Sequence, residues 1–166
     1  PLLDSLGRLI GVNSAIFSPS GTSAGVGFAI PVNTVTKVVP VLIARGSYPH
    51  PWLGAVGYDI TPRLAQQLTL PVQQGLLVAQ LYDGSPALNA GLQGAKREII
   101  LGNQRMYVGG DIITAIDEQP LRTWKDLDTY LEEKTNVGQE VTLHLLRAGQ
   151  EQTMTLTLAE EPPNQP

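Results

Sequence analysis

Apolar positions in the first 46 residues alternate with polar ones in two stretches and then recur at helical spacing. The strand patterns are "LIGVNSAI" and "GVGFAIPV", and we expect them to pair antiparallel across the turn-rich "SPSGTSAG". The helix pattern is "NTVTKVVPVLIARG", with Asn33 as its predicted cap and Pro40 as a predicted kink or break. Residues 1–46 therefore predict two strands and one helix, and "SYPHP" indicates a linker over residues 47–51.

Residues 52–159 contain more elements and match the size of one domain. Strand patterns occur in "LGAVGYDI", "GLLVAQLY", "DIITAI" and the terminal hairpin "EVTLHLLRAGQEQTMTLTL". Three short helices should begin after the caps Thr61, Ser85 and Thr123, two of them with proline at the first helical position. The pattern as a whole predicts a mainly β fold with short helices, of the α+β class.

Residues 94–109 form a separate feature, because "REIIL" and "QRMYV" flank Gly102 and Asn103. This pair suits the positive backbone dihedrals of a tight two-residue turn, so we expect an inserted hairpin. Its function is not evident from the sequence. The final residues, 160–166, are rich in proline and are expected to form a flexible tail.

Composition excludes several classes of function. The 166 residues contain 42% apolar residues and have a net charge of −4, without the clustered Lys and Arg that nucleic-acid binding requires. There is no cysteine, and no group of His and carboxylate residues has metal-ligand spacing, so no metal or other cofactor is expected. The sequence also shows no targeting segment and no apolar run of bilayer length.

Several motifs in order resemble the HtrA/Deg family of trypsin-type serine proteases, the DegP-like enzymes. "PLLDSLGRLIGVNSAI" followed by "SAGVGFAIPVNTV" is similar to the end of the protease domain. "WLGAVGYDITPRLAQQLTL", "DGSPALNAGL" and "GGDIITAIDEQPL" are similar to the PDZ domain that follows it. The resemblance implies an incomplete C-terminal part of a trypsin-like β-barrel at residues 1–46, then a PDZ domain at 52–159 with the hairpin 94–109 inserted.

The resemblance also bears on catalysis. Pro1 matches the proline that ends the nucleophile loop of the family, so the reactive serine is expected just upstream of Pro1. The two histidines, His50 and His144, lie in a linker and in a strand, and neither has a serine elbow nearby in the sequence. No catalytic residue is therefore assigned, and the chain is predicted to be inactive on its own. A substrate-cleft wall is implied instead for four residues, to which the interpretation as an interior barrel strand applies equally: Asn13, Ser14, Ala15 and Ile16.

The PDZ resemblance implies a peptide site. PDZ domains bind an extended peptide, usually a C-terminus, beside a sheet edge, and backbone amides hold the terminal carboxylate. Gly54 is expected to let that carboxylate approach bare backbone, and the helix "TWKDLDTYLEEK" should form the opposite wall. Taken singly, each leucine of this set is better explained as plain core, and the site interpretation rests on their placement around the glycine-bearing loop. The predicted site consists of Trp52, Leu53, Gly54, Ala55, Val56, Gly57, Tyr58, Leu127 and Leu131.

Two functions follow as expectations. In the first, the chain is the C-terminal part of an extracytoplasmic serine endopeptidase for protein quality control, acting on unfolded proteins and binding their C-terminal or extended segments. That parent would be a trimer-based homo-oligomer by resemblance, and strands without barrel partners could make this piece self-associate. In the second, the chain is a stand-alone, non-enzymatic PDZ module.

Overall fold

The computed structural model describes residues 1–17 and 26–163 and divides into two compact units, Pro1–Tyr48 and Pro49–Pro166. The first unit contains β1 (Leu2–Leu3), β2 (Leu9–Phe17), β3 (Val26–Pro31) and α1 (Val32–Arg45). Its strands form one antiparallel sheet in the order β1-β2-β3. The predicted pairing of the two strand patterns is thus observed, while the turn "SPSGTSAG" lies outside the described residues. Among residues 1–16 and 26–48, Gly11 is the one buried residue.

Helix α1 differs from its prediction in two ways. Its N-cap is Pro31 and not Asn33, and no side chain caps it. Pro31 has an extended backbone conformation, with φ −59° and ψ 145°, so the helix begins after it at Val32, two residues earlier than predicted, and Asn33 falls inside its first turn. The helix also continues through Pro40 to Arg45. Pro40 removes a single hydrogen bond, to the carbonyl of Thr36, and because Thr36 is exposed, water can replace that bond.

The second unit contains ten strands and three helices among the described residues. They are β4 (Pro51–Trp52), β5 (Ala55–Ile60), α2 (Pro62–Leu68), β6 (Gly75–Leu81), α3 (Pro86–Asn89), β7 (Arg97–Leu101), β8 (Gln104–Val108), β9 (Ile112–Ile116), β10 (Gln119–Pro120), α4 (Trp124–Lys134), β11 (Glu140–Arg147), β12 (Gln150–Thr157) and β13 (Ala159–Glu160). The main sheet has the order β12-β11-β9-β6-β5, and β10 pairs with β9. The short pairs β4/β13 and β7/β8 complete a mainly β unit, as the sequence predicts.

Both faces of the main sheet carry a hydrophobic core, because successive side chains along a strand point to opposite faces. On β6, Leu76 and Val78 belong to one cluster, and Leu77 belongs to the other. The first cluster includes Leu127 and Leu131, so α4 covers that face. The second includes residues of α2 and of β8, so the β7/β8 hairpin and α2 cover the opposite face. The sheet that contains β5 is therefore covered by α4 on one face and by α2 with the β7/β8 hairpin on the other.

The predicted helix caps of the second unit are confirmed. The hydroxyl groups of Thr61 and Ser85 each accept an amide hydrogen bond of 3.2 Å at the start of α2 and α3. At α4, Thr123 accepts from the amide of Asp126, and Asp126 accepts from the amide of Thr123 in return. This reciprocal capping box satisfies two amides that have no partner within the helix.

The inserted hairpin is present where the sequence predicts it. Strands β7 and β8 pair from Arg97 opposite Val108 to Leu101 opposite Gln104, which leaves Gly102 and Asn103 as a two-residue turn. Gly102 has a φ of +61°, whereas Asn103 is outside the left-handed region. The turn is therefore one that needs a positive φ at its first position alone.

Candidate peptide-binding groove

Strand β5 lies at the edge of the main sheet. Among the described strands it pairs with β6 alone, over Ala55–Ile60 and Gly75–Leu81. A strand with one unpaired edge can accept a further strand through its backbone groups. Helix α4 runs beside this edge, and a cavity of about 340 Å³ lies between the start of β5 and the helix. The unpaired edge of β5 therefore opens onto a groove.

The loop that enters β5 has backbone groups of two kinds. The carbonyl of Leu53 accepts a hydrogen bond from the amide of Ala87, and the carbonyl of Gly54 accepts one from Tyr82, each 3.0 Å long. The amide N–H groups of Leu53 and Gly54, in contrast, donate to no acceptor within residues 1–17 and 26–163. Two adjacent amides without an internal acceptor can bind an anionic oxygen.

Gly54 is required for a reason that the sequence did not reveal. Its φ is +81°, a backbone conformation that favours glycine. In addition, a Cβ atom at this position would collide with the Cβ of Ser85, the cap of α3. Gly57 is constrained in the same way, because its Cβ would collide with the carbonyl oxygen of Leu77 on β6. The glycines thus serve close packing on the inner side of the loop and strand.

Apolar side chains form the floor of the cavity. Leu53, Leu127 and Leu131 line it and are only 2%, 2% and 5% exposed. They also belong to the core cluster on that face, so the same three leucines pack in the core and line the cavity. Trp52 lines the same cavity and packs against Tyr82, with ring centroids 5.7 Å apart. The result is a small apolar pocket below the two amides.

All nine residues predicted for the peptide site lie along this groove. Seven of them line the cavity beside α4: Trp52, Leu53, Gly54, Ala55, Val56, Leu127 and Leu131. Gly57 and Tyr58 line its continuation farther along β5, together with Ala55 and Val56. The structure therefore brings together residues from the loop, the strand and the helix.

An acidic rim, which the sequence analysis missed, surrounds the same cavity. It consists of Asp128 and Glu132 on α4 and Glu161 near the end of the described chain. Burial raises the pKa of Asp128, and the negative charges of Glu161 and Glu132 raise it further. His50 Nδ1 contacts Glu132 Oε1 at 2.6 Å. The i, i+4 spacing of Asp128 and Glu132 was visible in the sequence, but the approach of Glu161 depends on the β4/β13 pairing.

The residues predicted to form a substrate-cleft wall all lie on β2 in the first unit. Asn13, Ser14, Ala15 and Ile16 are exposed. The pairing of β2 with β3 shifts register between Asn13 and Ala15, so Ser14 is the extra residue of a bulge. Its hydroxyl donates a hydrogen bond of 3.3 Å to the carbonyl of Phe28. Bulges of this kind re-aim neighbouring side chains.

A family profile described as "PDZ domain" matches residues 55–158. The chain belongs to the PDZ domain family. The match runs from the first residue of β5 to the end of the main sheet and includes the β7/β8 hairpin. The PDZ fold is thus shown by the profile and by the mainly β architecture with short helices together.

Curated relatives resemble this PDZ-containing chain over nearly its whole length. Protease Do-like 1 from the chloroplast of Arabidopsis thaliana is 40% identical over 163 residues, 98% of this chain and 35% of that protein. The periplasmic pH-dependent serine endoprotease DegQ of Escherichia coli K12 is 34% identical over 157 residues, 95% of this chain and 31% of that protein. The resemblance to HtrA/Deg serine proteases is therefore confirmed. The chain spans about a third of the length of these relatives.

Solved structures give the same result. The HtrA-type protease AlgW, determined with a decapeptide, superposes with a TM-score of 0.74 at 34% identity, covering 97% of this chain and 45% of that one. A serine endoprotease from Yersinia pestis superposes with a TM-score of 0.60 at 26% identity, covering 96% and 46%. The similarity includes both the PDZ unit and the first unit.

Two features are absent from the part of the chain that the structure describes. No helix in residues 1–17 and 26–163 has the length and apolar character needed to cross a bilayer. In the same part of the chain, no group of His, Asp or Glu side chains is arranged to hold a metal ion.

Proposed function

We propose that the groove between β5 and α4 binds the C-terminal segments of proteins as an added β-strand. The observation that supports this most directly is the pair of Leu53 and Gly54 amides, which lack an internal acceptor and sit at the start of an open strand edge. A terminal carboxylate at these amides would accept two hydrogen bonds, and the preceding residues would pair with β5. The decapeptide in the AlgW structure supports a peptide as ligand.

The pocket below the amides sets the proposed preference for the last residue. Its leucine floor suits an aliphatic side chain, and its volume of about 340 Å³ leaves room for neighbouring peptide atoms as well. Burying such a side chain contributes about 1.5–3 kcal/mol, enough to distinguish Val, Leu or Ile from a polar residue. The ligand class is therefore a C-terminal peptide with an aliphatic last residue.

Calorimetric titration of matched peptides tests this assignment. A peptide that ends in Val, Leu or Ile with a free carboxylate should bind at least about tenfold more tightly than the same peptide amidated at its C-terminus. A peptide that ends in Ser serves as the control for the apolar pocket. Equal affinity of the free and amidated forms would refute carboxylate recognition.

We further infer that these residues are part of an extracytoplasmic HtrA/Deg-type serine endopeptidase that acts in protein quality control. The names of the relatives support this, since DegQ is periplasmic and Protease Do-like 1 is chloroplastic. In such a protein, Asn13 to Ile16 on β2 would form part of the wall of the substrate cleft. The bulge at Ser14 and the exposure of this stretch suit that role.

We also propose that the 166 residues by themselves do not hydrolyse proteins. The sequence contains two histidines, of which His50 contacts Glu132 and His144 is an exposed residue of β11. Incubation with unfolded casein should yield no fragments above the background of a heat-denatured sample. Cleavage that survives purification and disappears in a His50→Ala or His144→Ala variant would contradict the proposal.

A further inference from the structure

The β7/β8 hairpin lies beside the outer part of the strand edge proposed to bind peptides. A second cavity, of about 850 Å³, continues the first one along β5 and shares Ala55, Val56 and Asp128 with it. One wall of this second cavity comes from Trp124 and Asp128 at the start of α4. The other wall comes from α2 and from the tip of the hairpin, which is the turn with Leu101, Gly102 and Gln104.

Contacts within the unit hold the hairpin in this position. The amide of Tyr107 donates a hydrogen bond of 3.1 Å to the hydroxyl of Tyr58 on β5. The amide of Ala95, at the base of the hairpin, donates one of 2.9 Å to the carbonyl of Ala79 on β6. Met106 and Val108, only 7% and 4% exposed, anchor the hairpin in the second core cluster. The tip is therefore fixed next to β5 by the fold.

We propose that the hairpin tip and α2 form a second subsite, which binds the upstream residues of the same peptide. This proposal rests on the peptide-binding function proposed above. A peptide whose terminus lies at Gly54 must run antiparallel to β5, toward Asp59 and Thr61. At about 3.3 Å per residue on both strands, residues about four or more positions before the terminus reach the second cavity.

The chemistry of the lining favours an apolar upstream residue. Leu64 of α2 and Leu101 and Met106 of the hairpin face the cavity, with Tyr58 and Trp124 beside them. The Asp59 carboxylate at its edge is already engaged, since Oδ1 accepts the backbone amide of Trp124 at 2.7 Å. The expected ligand is thus an extended segment of at least about six residues with an apolar side chain upstream of its aliphatic terminus.

The test compares a decapeptide of this kind with the tetrapeptide formed by its last four residues. Leu101→Ala shortens a side chain that lines the second cavity. Ile100→Ala is the matched control. Ile100 directly precedes Leu101 on the same strand, is 74% exposed and does not line the cavity. Gln104→Ala removes an exposed lining side chain and leaves the core unchanged.

The wild-type chain should bind the decapeptide about five- to tenfold more tightly than the tetrapeptide. Leu101→Ala should reduce this ratio to about two while the affinity for the tetrapeptide stays the same, which also shows that the variant is folded. Gln104→Ala should reduce the ratio to a smaller extent, and Ile100→Ala should not change it. Replacing the upstream apolar residues of the decapeptide by Ser should also reduce the ratio.

The possible failures are distinguishable. If neither peptide binds, the proposed peptide-binding function is wrong. If the tetrapeptide binds and the decapeptide binds no better, or if Leu101→Ala and Ile100→Ala have equal effects, the groove binds peptides but the hairpin forms no subsite.

Discussion

At the scale of single residues, Gly54 connects stability to the proposed carboxylate site. It has a positive φ of +81°, and its missing side chain leaves room for Ser85. The same residue presents one of the two amides without an internal acceptor. A change at Gly54 should therefore alter both folding and binding.

Gly54→Ala should lower the free energy of unfolding by about 3 kcal/mol, because it adds a steric collision to an unfavourable backbone conformation. Gly84→Ala is the matched control. Gly84 has a similar φ of +71°, but a Cβ there would meet no atom within 4 Å. This control should lose only about 1 kcal/mol, the contribution of the backbone alone. Urea titration of both variants measures the difference, and equal losses would show that contact with Ser85 does not constrain Gly54.

Asp128 should make peptide binding depend on pH. Burial and the charges of Glu161 and Glu132 raise its pKa, so it takes up a proton at a higher pH than an ordinary aspartate. As the pH falls below neutral, Asp128 takes up a proton before the peptide carboxylate does, and its growing neutral fraction reduces repulsion of that carboxylate. Affinity should therefore rise by about two- to fivefold.

Two substitutions isolate the contribution of Asp128 from other effects of acidification. Asp128→Asn should bind the peptide more tightly at about pH 7 and show a smaller rise on acidification. Glu133→Gln, on the same helix but outside the cavity lining, should keep the wild-type pH profile. If Asp128→Asn keeps the same profile too, Asp128 is not the titrating group.

At the scale of elements, the sequence predicted local structure well and contacts between distant segments poorly. Thr61, Ser85 and Thr123 act as caps because a cap hydrogen bond joins residues three apart, which a local pattern can reveal. Contact between Gly54 and Ser85 depends on how the loop before β5 meets α3. No periodicity encodes such a meeting, so neither this contact nor the acidic rim was predicted.

The ion pair between Asp111 and Arg147 is another long-range contact, and it joins β11 to the segment that enters β9. Asp111 is 1% exposed and accepts hydrogen bonds from Arg147 Nε at 2.9 Å and Nη2 at 2.6 Å. It also accepts one from the amide of Gln93 at 2.8 Å. The hydrogen bonds to Asp111 raise the pKa of Arg147, so the guanidinium stays charged. This buried carboxylate therefore organises three segments.

Asp111→Ala should lower the free energy of unfolding by about 2–4 kcal/mol, because the Gln93 amide loses its acceptor and the Arg147 guanidinium keeps only the carbonyl of Gly91. Glu98→Ala, which breaks the exposed pair with Arg105, should change it by at most about 0.5 kcal/mol. Thermal and urea unfolding measure both values. A loss below about 1 kcal/mol for Asp111→Ala would mean that water replaces the buried hydrogen bonds.

At the scale of the whole molecule, the two units differ in how well they are covered. The PDZ unit buries a core on both faces of its sheet, whereas Gly11 is the one buried residue among residues 1–16 and 26–48 of the first unit. The similarity to HtrA/Deg proteases extends over both units. The motifs of the sequence therefore identified the family, and the resemblance implied the loop, strand and helix of the groove. The wall formed by α2 and the hairpin emerged only from the fold of the PDZ unit.

The central claim is that a C-terminal peptide joins β5 with its carboxylate at the amides of Leu53 and Gly54. Amide-resolved NMR titration of the isotope-labelled chain, with a peptide ending in Val, tests it most directly. The account predicts the largest shifts at these two amides, smaller shifts along Val56 to Asp59, and loss of the two large shifts with the amidated peptide. Large shifts elsewhere, or the same shifts with the amidated peptide, would contradict it.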